Sequence, residues 1–407
     1  MTEPIAHPVT GTERIASIDV LRGVAVLGIL LMNIVTFSMV LGTYSNPAVY
    51  GDLSGADWWT WLILHVVADQ KFMTIFSLLF GAGVCIFMER AAAKGAPTWR
   101  LHLKRMAWLL FFGLAHAYLL WYGDILVTYA VCGVVVAVAR KWPVPLQFVI
   151  GVVMVCVPIA FMLFLGLTTE YWPPDVLAET RAMADLSSEV VAAEIAAYQG
   201  GWLMQMGHRV PMSLMMHVAL LPLMLFWRAA GVMLIGMAAY RCGVVSAARS
   251  RCFYIAMMVL GVGIGLPLIL RGVQVNAAAS WDPVTVGYLG GVWNFVASLF
   301  MAAAWVGLIM LVCRSGLLAG ARRVLSAVGR MAFTNYLGQT VICTTLFYGH
   351  GIGWFGSMER VQLLGVVAAV WVFQMIFSVV WLKYFRFGPM EWLWRSLTYL
   401  ELQPMRL

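Results

Sequence analysis

The sequence predicts an all-α, polytopic integral membrane protein of about ten transmembrane helices with both termini in the cytoplasm, on three observations. Hydrophobic residues fill 62% of the 407 positions and charged residues only 11%, with a mean hydropathy of +0.88, a balance foreign to soluble proteins of this length. Apolar runs long enough to cross a hydrocarbon layer of about 30 Å recur along the whole chain. The segments between them alternate in charge, as the accumulation of Lys and Arg in cytoplasmic loops requires.

Ten spans are expected near 17–40, 70–89, 102–121, 124–140, 145–167, 211–240, 252–272, 286–313, 323–348 and 361–385. One set of loops carries Arg14, then Arg90, Lys94, Arg100, Lys104 and Arg105, then Arg140 and Lys141. The same side continues with Arg241, Arg249 and Arg251, with Arg314, Arg322 and Arg323, and with Lys383, Arg386, Arg395 and Arg406. The alternate loops hold Asp52, Asp57 and Asp124, and the segment 169–210 adds Glu170, Asp175, Glu179, Asp185, Glu189 and Glu194 against Arg181 and Arg209. Topology therefore accounts for the formal charge of +8, and no nucleic-acid partner is expected.

The first span places Asp19, Arg22 and Asn33 in hydrocarbon, where an ionisable group costs roughly 2.5–3.5 kcal/mol and calls for a partner or a task. Arg22 and Asn33 are eleven residues apart, about three helical turns, so they share a face at depths about 16 Å apart. That face is expected to look inward. The run follows a polar tail, is too long for a signal-peptide core and lacks a small-residue cleavage site, so it reads as an uncleaved signal anchor.

The second span opens with Asp69 and Lys71, at i and i+2 on different sides of a helix, so one of them is expected to meet a partner elsewhere. The alternative keeps both at the outer interface with Lys71 snorkelling to water. Gly81 and Gly83 on this span fit close helix contact better than a phosphate loop.

The third span carries Arg105 and His116, again eleven residues apart. Asp124 follows Trp121-Tyr122-Gly123, and a turn at Gly123 lets its carboxylate fold back toward the imidazole, the arrangement that base or nucleophilic catalysis uses. The alternative makes Asp124 a cap of the fourth helix and His116 a partner of a neighbouring one. Arg228 on the sixth span is a further inward charge. On the ninth, Asn335 and Gln339 share a face and suit either interhelical packing or substrate hydrogen bonds.

Other features carry less chemistry. His65, His208, His217 and His350 lack metal-ligand spacing and read as structural or interfacial, so no metal is expected. The seven cysteines, in or beside apolar segments without paired spacing, read as buried small residues. The segment 169–210 is the one sizeable extramembrane piece, helical in pattern, and separates a five-span half at 1–168 from a second at 211–407. No repeat relates the halves, which disfavours an inverted-repeat transporter. The tail from Gly388 to Arg395 mixes aromatic and charged residues and is expected at the cytoplasmic interface.

Five ordered stretches resemble the bacterial YeiB-like membrane proteins: Ser17 to Gly23 with Met32-Asn33-Ile34; Lys71-Phe72 with Phe76 to Gly83; His116 with Gly123 to Leu126; Thr334 to Leu337; and Gly388 to Arg395. The resemblance implies a multi-pass protein of the bacterial inner membrane with a role in transport or acyl transfer. Asp19, Arg22, Gly23 and the run Val67-Ala68-Asp69 are also similar to the glucosaminide acetyltransferases and, more distantly, to the acyltransferase-3 enzymes, which carry acyl groups from cytoplasmic acyl-CoA to an acceptor across the membrane. Acyltransferase-3 enzymes have His where this chain has Asn33, and the catalytic His of the glucosaminide enzymes falls at Trp58 or Trp59. The resemblance implies an acyltransferase using acyl-CoA, with acetyl-CoA the expected donor; because the families' histidines are replaced here, either His116, oriented by Asp124, takes over as the base or a direct transfer needs no acyl-enzyme. In that reading Arg22 and Arg105 are expected to attract the phosphates, Asn33 and Asn335 to steady the oxyanion, and Asp69 or Lys71 to hold the acceptor, a small molecule, glycan or lipid, or to help orient the base. A homodimer in the lipid bilayer is compatible with this reading. The competing expectation is a transporter or exporter of a small or amphipathic molecule, with the same buried charges as substrate or proton-coupling sites.

Overall fold

The computed structural model describes residues 14–184 and 187–407, so the expected acidic loop residue Asp185 lies outside the described residues. Every regular element among them is helical, apart from a single bridge pairing Phe385 with Arg406. Seven helical stretches are long and apolar enough to cross a membrane: Ala16–Ser38, Gly55–Ala93, Val144–Leu167, Trp202–Arg241, Arg251–Ala278, Pro283–Ser315 and Arg360–Trp381. The protein is a multi-pass membrane protein.

In chain order, α1 (Ala16–Ser38) has Asp19 in its first turn, where the helix dipole favours an acid. α2 (Gly55–Val67) and α3 (Lys71–Ala93) form one apolar stretch interrupted at residues 68–70, where Gln70 adopts a left-handed conformation with φ 62°. α2 lies in a stretch that the sequence reading leaves as a loop. α4 (Thr98–Ala115) widens into a π turn at His116–Leu120 and stops at extended Trp121. α5 (Leu126–Val136) tightens into a 3-10 turn through Lys141, and α6 (Val144–Leu167) follows.

The next segment holds α7 (Pro174–Ala184), α8 (Ser188–Gln199), capped by the Ser187 hydroxyl, and α9 (Trp202–Leu214). α9 runs on through a π segment, Met215–Leu225, into α10 (Phe226–Arg241), so the helix after the loop starts at 202 rather than 211. α11 (Arg251–Ala278) is capped by Ser250, and Asp282 caps the one-turn α12 (Pro283–Thr285) leading into α13 (Gly291–Ser315). The expected ninth span is in fact two helices, α14 (Ala319–Arg330) and α15 (Ala332–Phe347), broken at Met331. α16 (Arg360–Trp381) starts with a capping box of Glu359 and Gln362, and α17 (Pro389–Tyr399) is the amphipathic tail helix.

Burial explains where charge is tolerated. In α1, 67% of the most apolar window is buried, against 22% in α6 and α11. α1 packs on α3, α13, α14, α15 and α16 and so keeps its polar residues among protein, whereas α6 and most of α11 turn apolar faces outward. Glycines set the closest crossings: a Cβ at Gly329 would come 1.9 Å from the Asp19 carbonyl oxygen, and one at Gly81 would come 2.0 Å from that of Met233. α1 thus lies against α14, and α3 against α10, at backbone contact. Helices from both sides of the 169–210 segment interleave, since α10 packs on α3 and α6 while α14 and α15 pack on α1.

Candidate functional site

His116 sits where the α4 helix widens, and the chain then doubles back through Trp121 and Gly123 so that Asp124 reaches it. Nδ1 of His116 lies 2.8 Å from Asp124 Oδ1, and the other carboxylate oxygen accepts the Val127 N–H at 2.8 Å. On its far side the imidazole meets Thr340 of α15, with Nε2 2.9 Å from Oγ1. All three side chains are buried, His116 and Thr340 to 1% exposure. Trp121 packs edge-on at 6.1 Å and Tyr336 tilted at 5.2 Å between ring centroids. The expected approach of Asp124 to His116 and its capping of the following helix coexist, because one carboxylate oxygen caps α5 and the other holds the histidine.

A cavity of roughly 310 Å³ opens at the basic end of the bundle. Its mouth is lined by seven cationic side chains: Arg14, Arg22 of α1, Arg90 and Lys94 at the end of α3, Arg105 of α4, Arg330 of α14 and Arg395 of α17. Two acids share the wall. Asp19 accepts from Arg22 at 2.9 Å, while Glu391 caps α15, accepting from the Phe333 and Thr334 N–H groups at 2.7 and 3.2 Å and from the Thr334 hydroxyl at 2.5 Å. Burial raises the Glu391 carboxyl above the usual carboxylate range. Burial, with Arg330 nearby, lowers Arg14 to about 10, and burial also lowers the Arg395 guanidinium. Arg105 lies between the Phe87 and Trp394 rings, 4.5 Å from each centroid.

The rest of the wall includes Phe76, Leu79, Phe80, Leu109, Leu126, Phe333 and Tyr336, and along α3 the lining passes from Arg90 to Phe76 over about four helical turns. Gly83 lines the same space and has no heavy atom near its missing Cβ, so it keeps the wall open, whereas Gly81 serves the helix contact. Leu126 and Tyr336 are the link to His116. Tyr336 carries the 5.2 Å ring contact, and Leu126 precedes the residue whose N–H binds Asp124.

The second cluster is the helix break between α2 and α3. Asp69 accepts from Tyr44 at 3.0 Å, from Asn294 at 2.7 Å and from His65 at 3.0 Å. Lys71, fully buried, donates to the His65 carbonyl and the Asn294 side-chain oxygen, each at 2.6 Å. Asp69 and Lys71 thus face one shared partner, Asn294, and the interface alternative for Lys71 does not hold. Arg228 donates to Ser298 at 2.6 Å and Thr74 at 3.1 Å and stacks on Phe295 at 4.0 Å. None of these bonds reaches His116 or the cavity wall.

The remaining candidates separate. Asn335 donates to the Val328 carbonyl and to Ser378, and Gln339 to the Val26 carbonyl and to Gln374, so both amides tie α15 to α1, α14 and α16. The Asn335 amide N–H groups are thus engaged by α14 and α16, and among the described residues the Asn33 side chain makes no hydrogen bond to the His116 group. Arg22 and Arg105 do line one cavity. His65 is a partner of Asp69 rather than an isolated interfacial residue. Thr340, Tyr336, Asn294, Glu391 and Arg395 also take part in these sites; Glu391 and Arg395 carry a sequence signal as charges in the aromatic tail and Tyr336 as part of the Thr334 to Leu337 stretch, whereas Thr340 and Asn294 carry none.

Residues 239–401 match the model of a family described as a protein of unknown function, DUF418. The chain is 35% identical over 400 residues to the uncharacterized protein YeiB of Escherichia coli strain K12, covering 95% of this chain and 96% of that protein. It is also 31% identical over 419 residues to the uncharacterized protein YxaH of Bacillus subtilis strain 168, with 98% of each chain covered. An uncharacterized 39.9 kDa protein encoded in the amylase 3′ region of Bacillus acidopullulyticus is 29% identical, again over 98% of both chains.

Proposed function

The chain belongs to the YeiB-like family, and from that premise we propose that it is an acyltransferase of the bacterial inner membrane, moving an acyl group from cytoplasmic acyl-CoA to a hydroxyl or amine acceptor. In this reading ten helices cross the bilayer, with α4, α5 and α15 added to the seven longest stretches, and both termini lie in the cytoplasm. The alternation of basic loops supports that orientation.

The observation that carries the reading is the cavity at the basic end. Its cationic mouth suits a polyanionic headgroup, since guanidinium groups bind phosphate oxygens through paired N–H donors. Its apolar part suits the pantetheine arm and acyl group, and it includes Tyr336 and Leu126, beside a histidine whose Nδ1 is held by a buried carboxylate. His116 is the base that deprotonates the acceptor, and Asp124 fixes its tautomer and stabilises the imidazolium. The acceptor, a glycan, lipid or small molecule, meets the acyl group at that depth.

The test is binding and turnover of acetyl-CoA by the purified protein in nanodiscs. Saturable binding that weakens with salt, followed by hydrolysis or by transfer to envelope extracts, is the expected result. Indifference to acetyl-CoA together with uptake of an amphipathic solute into proteoliposomes would replace this reading with a transporter.

A further inference from the structure

We propose that Thr340 is the nucleophile of a double-displacement reaction and carries the acyl group as an ester between donor and acceptor. The proposal rests on the acyltransferase reading and adds to it a covalent intermediate.

The hydrogen-bond chain has one direction. The Asp124 carboxylate can only accept, taking the Val127 N–H on one oxygen and the His116 Nδ1–H on the other. With the proton of the neutral imidazole on Nδ1, Nε2 is left as an acceptor, and the hydroxyl 2.9 Å away must donate to it. An acid, an imidazole and a hydroxyl linked in that order make up the activated-nucleophile arrangement found on unrelated folds, recognised by geometry rather than chain position. Thr340 Oγ1 makes no other hydrogen bond among the described residues, such as the bond to the preceding turn that Thr36 and Thr345 form.

Access comes from the cavity. Thr340 lies one turn beyond Tyr336 on the same face of α15, and the Tyr336 ring both lines the cavity's inner end and covers His116. A thioester carbonyl delivered to that end meets the hydroxyl once the Tyr336 ring swings aside. The Oγ1–carbonyl carbon bond forms as the carbon–sulfur bond breaks. The hydroxyl proton passes to His116 Nε2 and on to the departing CoA thiolate. In the second half the same nitrogen takes the acceptor's proton, the acceptor oxygen or nitrogen attacks the ester, and the proton returns to Thr340.

The experiment incubates the full-length protein in nanodiscs with labelled acetyl-CoA and no acceptor, quenches in acid, and maps the label by peptide mass spectrometry with a hydroxylamine-treated control. One hydroxylamine-labile acetyl ester on Thr340 is expected, absent from Thr340→Val and His116→Ala and restored in Thr340→Ser. Thr340→Val should lower transfer per folded molecule on the order of 10⁴-fold, far beyond what the loss of one buried hydrogen bond takes from its thermal midpoint, while its acetyl-CoA affinity stays near wild type. An acetyl group on another residue, or transfer by Thr340→Val at the wild-type rate, would overturn the nucleophile and leave the acyltransferase reading standing. Failure of the wild-type protein to bind or consume acetyl-CoA would overturn both.

Discussion

Two buried polar clusters, the His116 group and the Asp69 group, are built from similar residue types and differ in what their unused valences face. Around Asp69 and Lys71 every strong donor and acceptor meets protein: Tyr44, His65 and Asn294 surround the carboxylate, and Asn294 and a carbonyl hold the ammonium. This cluster replaces the backbone continuity lost between α2 and α3. Around His116 the bonds run in a line from carboxylate to imidazole to hydroxyl, and the line lies against the end of a cavity with a cationic mouth. Burial of charge marks both equally. Proximity to a ligand-sized space distinguishes the His116 group.

The largest effect expected from this contrast is on turnover. His116→Ala should lower acyl transfer per folded molecule on the order of 10⁴-fold, a loss far larger than the fall in folded yield from leaving one buried Asp124 oxygen unpaired while the other still caps α5. Similar losses of folded protein and of specific activity would erase the distinction between the clusters. Lys71→Met should do the reverse. Removing one partner of a buried ionic network costs about 3–5 kcal/mol, so the folded yield and melting temperature should fall while each folded molecule still turns over acetyl-CoA. A Lys71→Met protein that is stable but inactive would move the Asp69 cluster into the catalytic machinery.

Smaller effects belong to the mouth of the cavity. Arg330→Ala and Arg395→Ala should each weaken acetyl-CoA binding about tenfold, as expected for one charge-assisted hydrogen bond, with the loss shrinking as salt is raised. Titration calorimetry at two ionic strengths checks this, and equal affinity for a thioester lacking the nucleotide would contradict it.

The smallest effect lies at the opposite end, where Asp282 caps α12 and pairs with Arg181 at 2.8 Å. Burial alone would raise its carboxyl, but the Thr285 N–H and Arg181 outweigh it and hold it below the usual range. A depressed acid stabilises the fold above its unfolded pKa and loses that contribution as pH falls through the folded value. Asp282→Ala should therefore cost about 1 kcal/mol near neutrality and converge on wild type at low pH, with no change in turnover, as pH-dependent melting curves can show.

Much of this arrangement is legible in the sequence, and the remainder fails for identifiable reasons. The membrane assignment, the helical class and the His116–Asp124 pair follow from composition and from eight residues of local chain, in which a glycine turn brings acid to base. Thr340 is 224 positions from His116 and is one hydroxyl in an apolar run, so nothing local marks it. The break at Met331 falls two residues after Gly329, which lies against the Asp19 carbonyl oxygen, a contact between distant helices that no local pattern announces. α2 escapes because its tryptophans suit an interfacial loop as well as a helix. Asn335 and Gln339 illustrate the converse: paired amides at helical spacing announce a polar face, but only the neighbouring helices decide that it is packing rather than a ligand that uses it.

The central claim is that the cavity delivers an acyl donor to His116, and the most direct measurement is acetyl-CoA turnover in nanodiscs by wild type, His116→Ala and Lys71→Met, each normalised to folded protein. The account predicts turnover in wild type and Lys71→Met and its loss in His116→Ala. Equal turnover in wild type and His116→Ala, or none in any of the three, would contradict it.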